Sequence, residues 1–103
     1  MPHFLVFATD RLPHPPQAMP RREAARPAHR AYVLGRDGPI RLAGAMLDAD
    51  GNQCGSVYSF EAASVAEVRA WLAAEPFVRA GVYAEVRIVE WSPRLNRLPA
   101  AEW

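Results

Sequence analysis

The order in which hydrophobic periodicity changes along the chain constrains its fold most. Residues 3–8 form a short apolar run of β-formers, which predicts a central strand. Residues 82–91 alternate for ten positions, with Tyr83, Glu85, Arg87, Val89 and Trp91 on one face. Together with the segments between them, the pattern predicts four strands and two helices in the order strand, helix, strand, strand, helix, strand. The predicted strands are residues 3–8, 40–47, 53–60 and 82–91, and the predicted helices are residues 21–34 and 64–74.

Local motifs support two of these boundaries. Asp50-Gly51 lies between the second and third strands and is typical of a hairpin turn. Ser64 and Glu67 have the spacing of a capping box, which predicts the start of the second helix.

Prolines make the start of the first helix ambiguous. Residues 9–20 contain four prolines and are predicted to form a loop. Pro27 leaves two alternatives, a regular helix that begins near Arg26 or a kink at Pro27. Ala28, Ala31 and Tyr32 then form the expected apolar stripe, with His29 on its flank. Gly35 is expected to end this helix, and Asp37 to form the turn that follows.

The element order is that of the split βαβ arrangement, an α+β fold of the ferredoxin-like type. We expect a four-stranded antiparallel sheet with two helices on one face. The other face is apolar and needs a cover, and a second copy of the chain is the simplest one. The 103 residues are predicted to form one domain over 1–103, with its core in 2–91 and a C-terminal tail in 92–103.

Composition excludes several classes of function. The net charge is +1 and the twelve basic residues, all arginine, are interleaved with eleven acids, so no nucleic-acid-binding face is expected. No apolar run approaches the ~20 residues needed to cross a bilayer, and the start of the chain does not resemble a signal peptide, so no membrane association and a cytoplasmic location are expected. Cys54 is the only cysteine and the three histidines are scattered, which predicts no disulfide and no metal. Without a glycine-rich phosphate loop, we expect no nucleotide cofactor, and none of any other kind.

The topology brings two chemically useful residues to one end of the sheet. His29 lies on the helix that follows the first strand, and Glu75 ends the helix that precedes the fourth strand. Because the first and fourth strands are antiparallel neighbours in this fold, His29 and Glu75 are expected to lie close together. A carboxylate beside an imidazole fixes the ring tautomer and favours proton transfer near neutral pH. Taken separately, His29 would be interpreted as a structural or solvated histidine, and Glu75 as a solvated residue at the end of a helix.

Three short motifs resemble those of the YciI-like, or YCII-related, family. They are Arg26-Pro27-Ala28-His29, Ala43-Gly44 and the segment from Glu75 to Tyr83, in the same order and on the same elements. The resemblance implies a dimeric α+β barrel and a His–Asp acid–base dyad. His29 takes the place of the family histidine, and Glu75 that of the aspartate, with an arm one methylene longer. Some members of the group are similar to dehydrochlorinases of hydroxylated aromatics, and the wider barrel group includes muconolactone isomerases.

Other residues are candidates for substrate binding. Arg26 is expected to hold a substrate anion or to be an ordinary surface arginine, and Gly44 to let a group approach the sheet. Tyr83 is expected either to reach the pocket or to pack inside the dimer. The predicted function is that of a cofactor-free lyase or isomerase that acts on a small, aromatic or lactone-like molecule. The alternative is a non-catalytic module that binds a small ligand or serves as an accessory dimer.

Overall fold

The computed structural model describes residues 1–10, 18–35 and 38–98. Its elements in chain order are β1 (His3–Asp10), α1 (Ala18–Val33), β2 (Ile40–Leu47), β3 (Gln53–Glu61), α2 (Val65–Ala74), α3 (Pro76–Arg79) and β4 (Tyr83–Trp91). The sheet order is β2-β3-β1-β4, with every neighbouring pair antiparallel. The predicted ferredoxin-like α+β fold is therefore confirmed. The single turn of α3 was not predicted.

The core lies between one face of the sheet and the helices. Alternate residues of β1, namely Phe4, Val6 and Ala8, are buried on that face, and Val68 and Leu72 of α2 pack against them. Fully burying an aliphatic or aromatic side chain of this size contributes about 1.5–3 kcal/mol. The alternation of β1 therefore determines which of its faces the helices cover.

The predicted turn and cap are both present. Asp48 Oδ1 accepts hydrogen bonds from the backbone N–H groups of Asp50 and Asn52, each at 2.9 Å. Gly51 has a φ of 81°, a conformation that glycine adopts without a steric penalty. At α2, Ser64 Oγ accepts from the Glu67 N–H at 3.4 Å, as a helix N-cap does.

The boundaries predicted around the first loop were wrong. Thr9 and Asp10 extend β1, and α1 begins at Ala18 instead of Arg21 or near Arg26. Pro20 lies in the first turn, where a missing backbone N–H costs no intrahelical hydrogen bond. Pro27 lies inside α1, so tertiary packing compensates for the roughly 3 kcal/mol by which proline disfavours a helix interior. The remaining prolines of the predicted loop lie outside the described residues, as does Asp37.

The inward face of α1 also differs from the predicted stripe. Ala28 and Ala31 are exposed, whereas Ala25, Tyr32 and Val33 pack against the core. His29 belongs to this inward face because its polar ring has a buried partner on another element, described below. Hydrophobicity alone therefore placed Tyr32 correctly and the two alanines on the wrong side of the helix.

The opposite face of the sheet carries apolar side chains that no described element covers. A groove of about 300 Å³ lies on it, between Leu5, Leu42 and Val57. Leu42 and Trp91 remain 44% and 38% exposed. In the described parts of the chain, no helix has the length and apolarity that a membrane span requires.

Candidate active site

His29 and Glu75 are in direct contact. His29 lies on α1 and Glu75 is the residue between α2 and α3, 46 positions further along the chain. The two are joined by a hydrogen bond between His29 Nδ1 and Glu75 Oε1. The structure thus brings together the two residues that topology had predicted to be neighbours. Their catalytic role stays a prediction.

The local sequence explains the placement of Glu75. Residues that precede proline favour an extended backbone, and Glu75 has φ −70° and ψ 127° before Pro76. Its backbone N–H donates to the Leu72 carbonyl at 3.1 Å, which ends α2. Its Oε2 accepts from the Val78 N–H at 3.1 Å, which caps α3. Glu75 is fully buried, with one described donor on each carboxylate oxygen.

Phe77 holds the imidazole ring in a defined plane. The two rings are stacked with centroids 3.7 Å apart and planes 6° apart. The His29 side chain is 15% exposed, so part of it remains accessible to solvent. When Nδ1–H donates to a carboxylate, the neutral ring carries its lone pair on Nε2. This arrangement can remove a proton at Nε2 and later return it.

Tyr32 fixes α1 to the end of α2 next to the pair. Its hydroxyl donates to the Trp71 carbonyl at 2.8 Å, and the two rings are 4.6 Å apart. Burial, and then the nearby charge of Glu75, raises the pKa of Tyr32 above its ordinary value. The phenol therefore stays protonated near neutral pH and remains a hydrogen-bond donor.

Arg22 and Asp10 form a buried ion pair that the sequence analysis missed. Arg22 Nη2 contacts Asp10 Oδ1, and the guanidinium lies 5.3 Å from the centroid of the Phe77 ring. Two signals could have indicated the pair. Asp10 continues the alternation of Phe4, Val6 and Ala8 at the end of β1. Arg22 precedes His29 by seven positions, two turns earlier on nearly the same face of α1.

Tyr83 does not lie on the sheet face that strict alternation predicted. The register shifts from Thr9–Glu85 to Asp10–Tyr83, which leaves Ala84 without an opposite residue. This irregularity turns Tyr83 to the helix-covered face, where it is 6% exposed. The expectation that it packs inside a dimer was therefore wrong.

The Tyr83 hydroxyl is part of a buried chain of hydroxyl groups. It donates to Ser56 Oγ at 2.9 Å and lies 2.8 Å from the Tyr58 hydroxyl. Burial raises the pKa of Tyr83 to about 12, and burial also raises the pKa of Tyr58. Both groups are therefore neutral phenols under ordinary conditions.

The other two candidates do not contact the pair. Arg26 binds Glu23 at 2.8 Å on the surface, and its hydrogen bond and charge lower the pKa of that carboxyl group. Gly44 lies beside the groove on the uncovered sheet face, and an added Cβ would meet no atom within 4 Å in the described part of the chain. Within the described residues, no group of three histidine, cysteine or carboxylate side chains could hold a metal ion.

Comparison with known proteins relates this geometry to a family. The sequence profile of the YCII-related domain matches residues 4–92. Protein YciI of Escherichia coli O6:H1 is 31% identical over 93 residues, which cover 82% of this chain and 91% of that protein. The same identity and coverage are found for Protein YciI of Shigella flexneri.

Solved structures have the same fold. The 5-chloro-2-hydroxyhydroquinone dehydrochlorinase of Burkholderia phenoliruptrix, in complex with 2,5-dihydroxybenzoquinone, is 29% identical with a TM-score of 0.74, covering 87% of this chain and 93% of that one. Rv0793 of Mycobacterium tuberculosis has a TM-score of 0.54 at 16% identity, covering 94% of this chain and 98% of that one. The second likeness concerns the fold alone.

Proposed function

The chain belongs to the YCII-related family, and on this premise we propose that it is a lyase or isomerase that transfers protons on a small ring compound bearing acidic hydroxyl groups. The proposal depends on one observation, the hydrogen bond from a partly exposed histidine to a fully buried carboxylate. A buried carboxylate that holds one ring nitrogen leaves the other nitrogen ready to act as a general base.

In the proposed reaction, His29 contacts the substrate and Glu75 positions His29. Nε2 of His29 removes a proton from an acidic C–H or O–H group, and the hydrogen bond to Glu75 stabilises the imidazolium that forms. His29 then returns the proton at a second position or loses it to solvent after a leaving group departs. The side chain of Phe77 keeps the ring orientation constant through both steps.

The substrate class is inferred from the dehydrochlorinase of Burkholderia phenoliruptrix. That protein acts on 5-chloro-2-hydroxyhydroquinone and was solved with 2,5-dihydroxybenzoquinone. Both molecules are six-membered rings with several oxygen substituents, whose hydroxyl protons are acidic. A neutral imidazole base is suited to protons of this kind.

We also propose that the active form is a homodimer in which two uncovered sheet faces meet. The apolar groove and the exposure of Leu42 and Trp91 support this, because patches of this kind on soluble domains usually mark an interface. A second copy presents the same apolar face, so the interface is self-complementary.

Substitutions at the pair test the proposed reaction. With 5-chloro-2-hydroxyhydroquinone as the assay compound, we expect His29→Gln to reduce chloride release by about 10²–10⁴-fold, the contribution typical of general acid–base catalysis. Glu75→Gln should also reduce turnover, since an amide cannot stabilise the imidazolium as a carboxylate does. His3→Gln, a histidine change on β1, is the matched control and should have no effect.

A spectroscopic measurement separates catalysis from a merely structural role. In ¹⁵N NMR spectra at a pH where the ring is neutral, His29 should show the tautomer protonated at Nδ1, and this preference should weaken in Glu75→Gln. Wild-type turnover in a folded His29→Gln variant would rule out the proposed base. Binding of 2,5-dihydroxybenzoquinone without any turnover would favour the non-catalytic ligand-binding module.

A further inference from the structure

The structure contains a buried chain of three hydroxyl groups that the proposed reaction does not use. The members of this hydroxyl chain are Tyr58, Tyr83 and Ser56, which are 1%, 6% and 5% exposed. Tyr58 and Ser56 lie on β3 and Tyr83 begins β4, so the chain spans β1 on the helix-covered face of the sheet. Apolar side chains would fill the same space without the cost of burying polar groups. Packing alone therefore does not require these hydroxyl groups.

The hydroxyl chain lies next to the candidate base. The rings of Tyr83 and Phe77 meet edge to face with their centroids 6.0 Å apart, and Phe77 also stacks on His29. Ser56 is opposite Ala8, near the end of β1 at which β4 begins. The hydroxyl chain and the candidate base thus share one end of the sheet, and a single phenylalanine is in contact with both.

The hydrogen bonds of the hydroxyl chain run from Tyr58 through Tyr83 to Ser56. Tyr83 donates its single hydroxyl hydrogen to Ser56 Oγ at 2.9 Å. In its contact with Tyr58, at 2.8 Å, Tyr83 can therefore only accept, so Tyr58 is the donor. Burial above all raises the pKa of both phenols. Neither phenol loses its proton near neutral pH, and the direction of donation is kept.

Ser56 is the last member of this series, and its own donor is not used. Its Oγ accepts from Tyr83, whereas its hydroxyl hydrogen has no acceptor among the residues that the structure describes. A buried donor without an acceptor is destabilising, so a bound molecule that offers an oxygen atom would remove a penalty. Donation along a series of hydroxyl groups also polarises each O–H bond, which makes the last hydroxyl group a stronger donor.

On the premise of the proposed function, we propose that Tyr58 is a positioning residue that makes Ser56 a hydrogen-bond donor to a ring oxygen of the substrate. Ser56 contacts the substrate, and Tyr58 acts only through Tyr83. The substrate oxygen is a carbonyl or phenolate oxygen, because an acceptor is required at this point. When His29 removes a proton, negative charge spreads through the conjugated ring to such an oxygen, and the bond from Ser56 becomes stronger.

A proton wire is the other role that a series of hydroxyl groups can have. A wire needs a group at its far end that takes up or supplies the proton. Tyr58 is 1% exposed, and within the described ranges its hydroxyl group has no hydrogen-bond partner besides Tyr83. The series is closed at Tyr58, which favours a fixed donor. The proton that His29 removes accordingly stays on Nε2 and does not pass along the hydroxyl chain.

Ligand binding by Ser56→Ala tests the contact independently of turnover. With 2,5-dihydroxybenzoquinone as the probe, we expect the affinity to fall about three- to tenfold, the usual effect of one hydrogen bond. The C=O stretching band of the bound probe, measured by Raman difference spectroscopy, should move to higher frequency because the oxygen loses a donor. Ser59→Ala changes a serine on the uncovered face of the same strand and is the matched control, which should alter neither the affinity nor the band.

Tyr58→Phe tests the positioning role. The ring is kept, but the hydroxyl group that fixes the direction of donation is lost, so Ser56 can also turn its hydrogen towards Tyr83. We expect a smaller fall in affinity, about two- to threefold, and a band between those of the wild type and Ser56→Ala. A purely structural role of Tyr58 would lower stability and leave the band at its wild-type position.

Three results would each overturn the inference: no binding of the probe by the wild type, a wild-type band in Ser56→Ala, or a wild-type band in Tyr58→Phe. Because the two variants report separately, either one is decisive if the other does not fold. The proposed reaction is measured through His29→Gln. Unchanged bands together with an inactive His29→Gln would remove the role of Ser56 and leave the proposed function intact. Shifted bands together with wild-type turnover in His29→Gln would support the contact and contradict the proposed reaction.

Discussion

The glutamate at position 75 makes three separate contacts at the candidate site. Glu75 ends one helix, caps the next and holds an imidazole, and each contact uses a different polar group of the residue. The family resemblance implies aspartate here, and the additional methylene of glutamate raised the question of whether the carboxylate still reaches the histidine. The contact with His29 shows that it does.

Gly55 provides a residue-scale prediction about packing. A Cβ added there would lie 2.3 Å from the Ala8 carbonyl oxygen, which is a backbone atom that cannot rotate away. We expect Gly55→Ala to lower the free energy of unfolding by about 2 kcal/mol or more, as overpacking does, measured by urea denaturation. Gly44→Ala is the control, because no atom of the described residues would lie within 4 Å of its added Cβ.

The two glycine variants also separate two causes of destabilisation. If Gly55→Ala is as stable as the wild type, β1 and β3 can move slightly apart at this position and still remain paired. A loss of stability in Gly44→Ala would support a second chain packed on that face, as in the proposed homodimer.

At the scale of elements, α1 is attached to the junction of α2 and α3 by two side chains one turn apart. His29 contacts the Glu75 carboxylate, and Tyr32 donates to the Trp71 carbonyl. Glu75 bonds to Leu72 and not to Trp71, so the last turn of α2 is tight and leaves that carbonyl for Tyr32. The position of α1 therefore determines the geometry of the candidate site.

Tyr32→Phe tests this attachment. The ring contact with Trp71 is kept, so the change removes only the hydroxyl group and leaves the Trp71 carbonyl without its donor. We expect the free energy of unfolding to fall by about 1 kcal/mol, the usual contribution of one hydrogen bond. Urea denaturation measures this, and an unchanged midpoint would show that the hydroxyl does not hold α2.

At the scale of the whole molecule, the two faces of the sheet have different roles. One face and the helices form the core and carry the candidate site at the end where β1 and β4 meet. The other face is apolar and has no cover within the described residues. This asymmetry is the physical reason to expect a second chain.

Light scattering tests the proposed homodimer. The mass in solution at micromolar concentration should be twice the 11.4 kDa of one chain. Leu42→Arg places a charge in the groove and should give a folded monomer, whereas Leu34→Arg, at a leucine that is 60% exposed beside α1, should remain dimeric. A wild-type protein that is monomeric at this concentration would contradict the dimer.

The amino-acid sequence by itself determined the order of all elements except α3, the ferredoxin-like topology and the neighbourhood of His29 and Glu75. Hydrophobic periodicity, turn residues and caps act within a few positions, so they can be read from short segments. The topology they imply then brings the ends of neighbouring strands together. This was sufficient to pair a histidine with a carboxylate 46 positions away.

Only the tertiary structure decided the finer placements. The helix continues through Pro27, and its inward face includes His29, because Glu75 before α3 and Phe77 in α3 contact the imidazole and offset local costs that a sequence pattern cannot weigh. The irregular pairing of Thr9 and Asp10 with β4 moved Tyr83 to the core face, since one unmatched residue reverses an alternation. The pair of Arg22 and Asp10 depends on two elements meeting in space, and contacts of that kind are set by packing and leave no local periodicity.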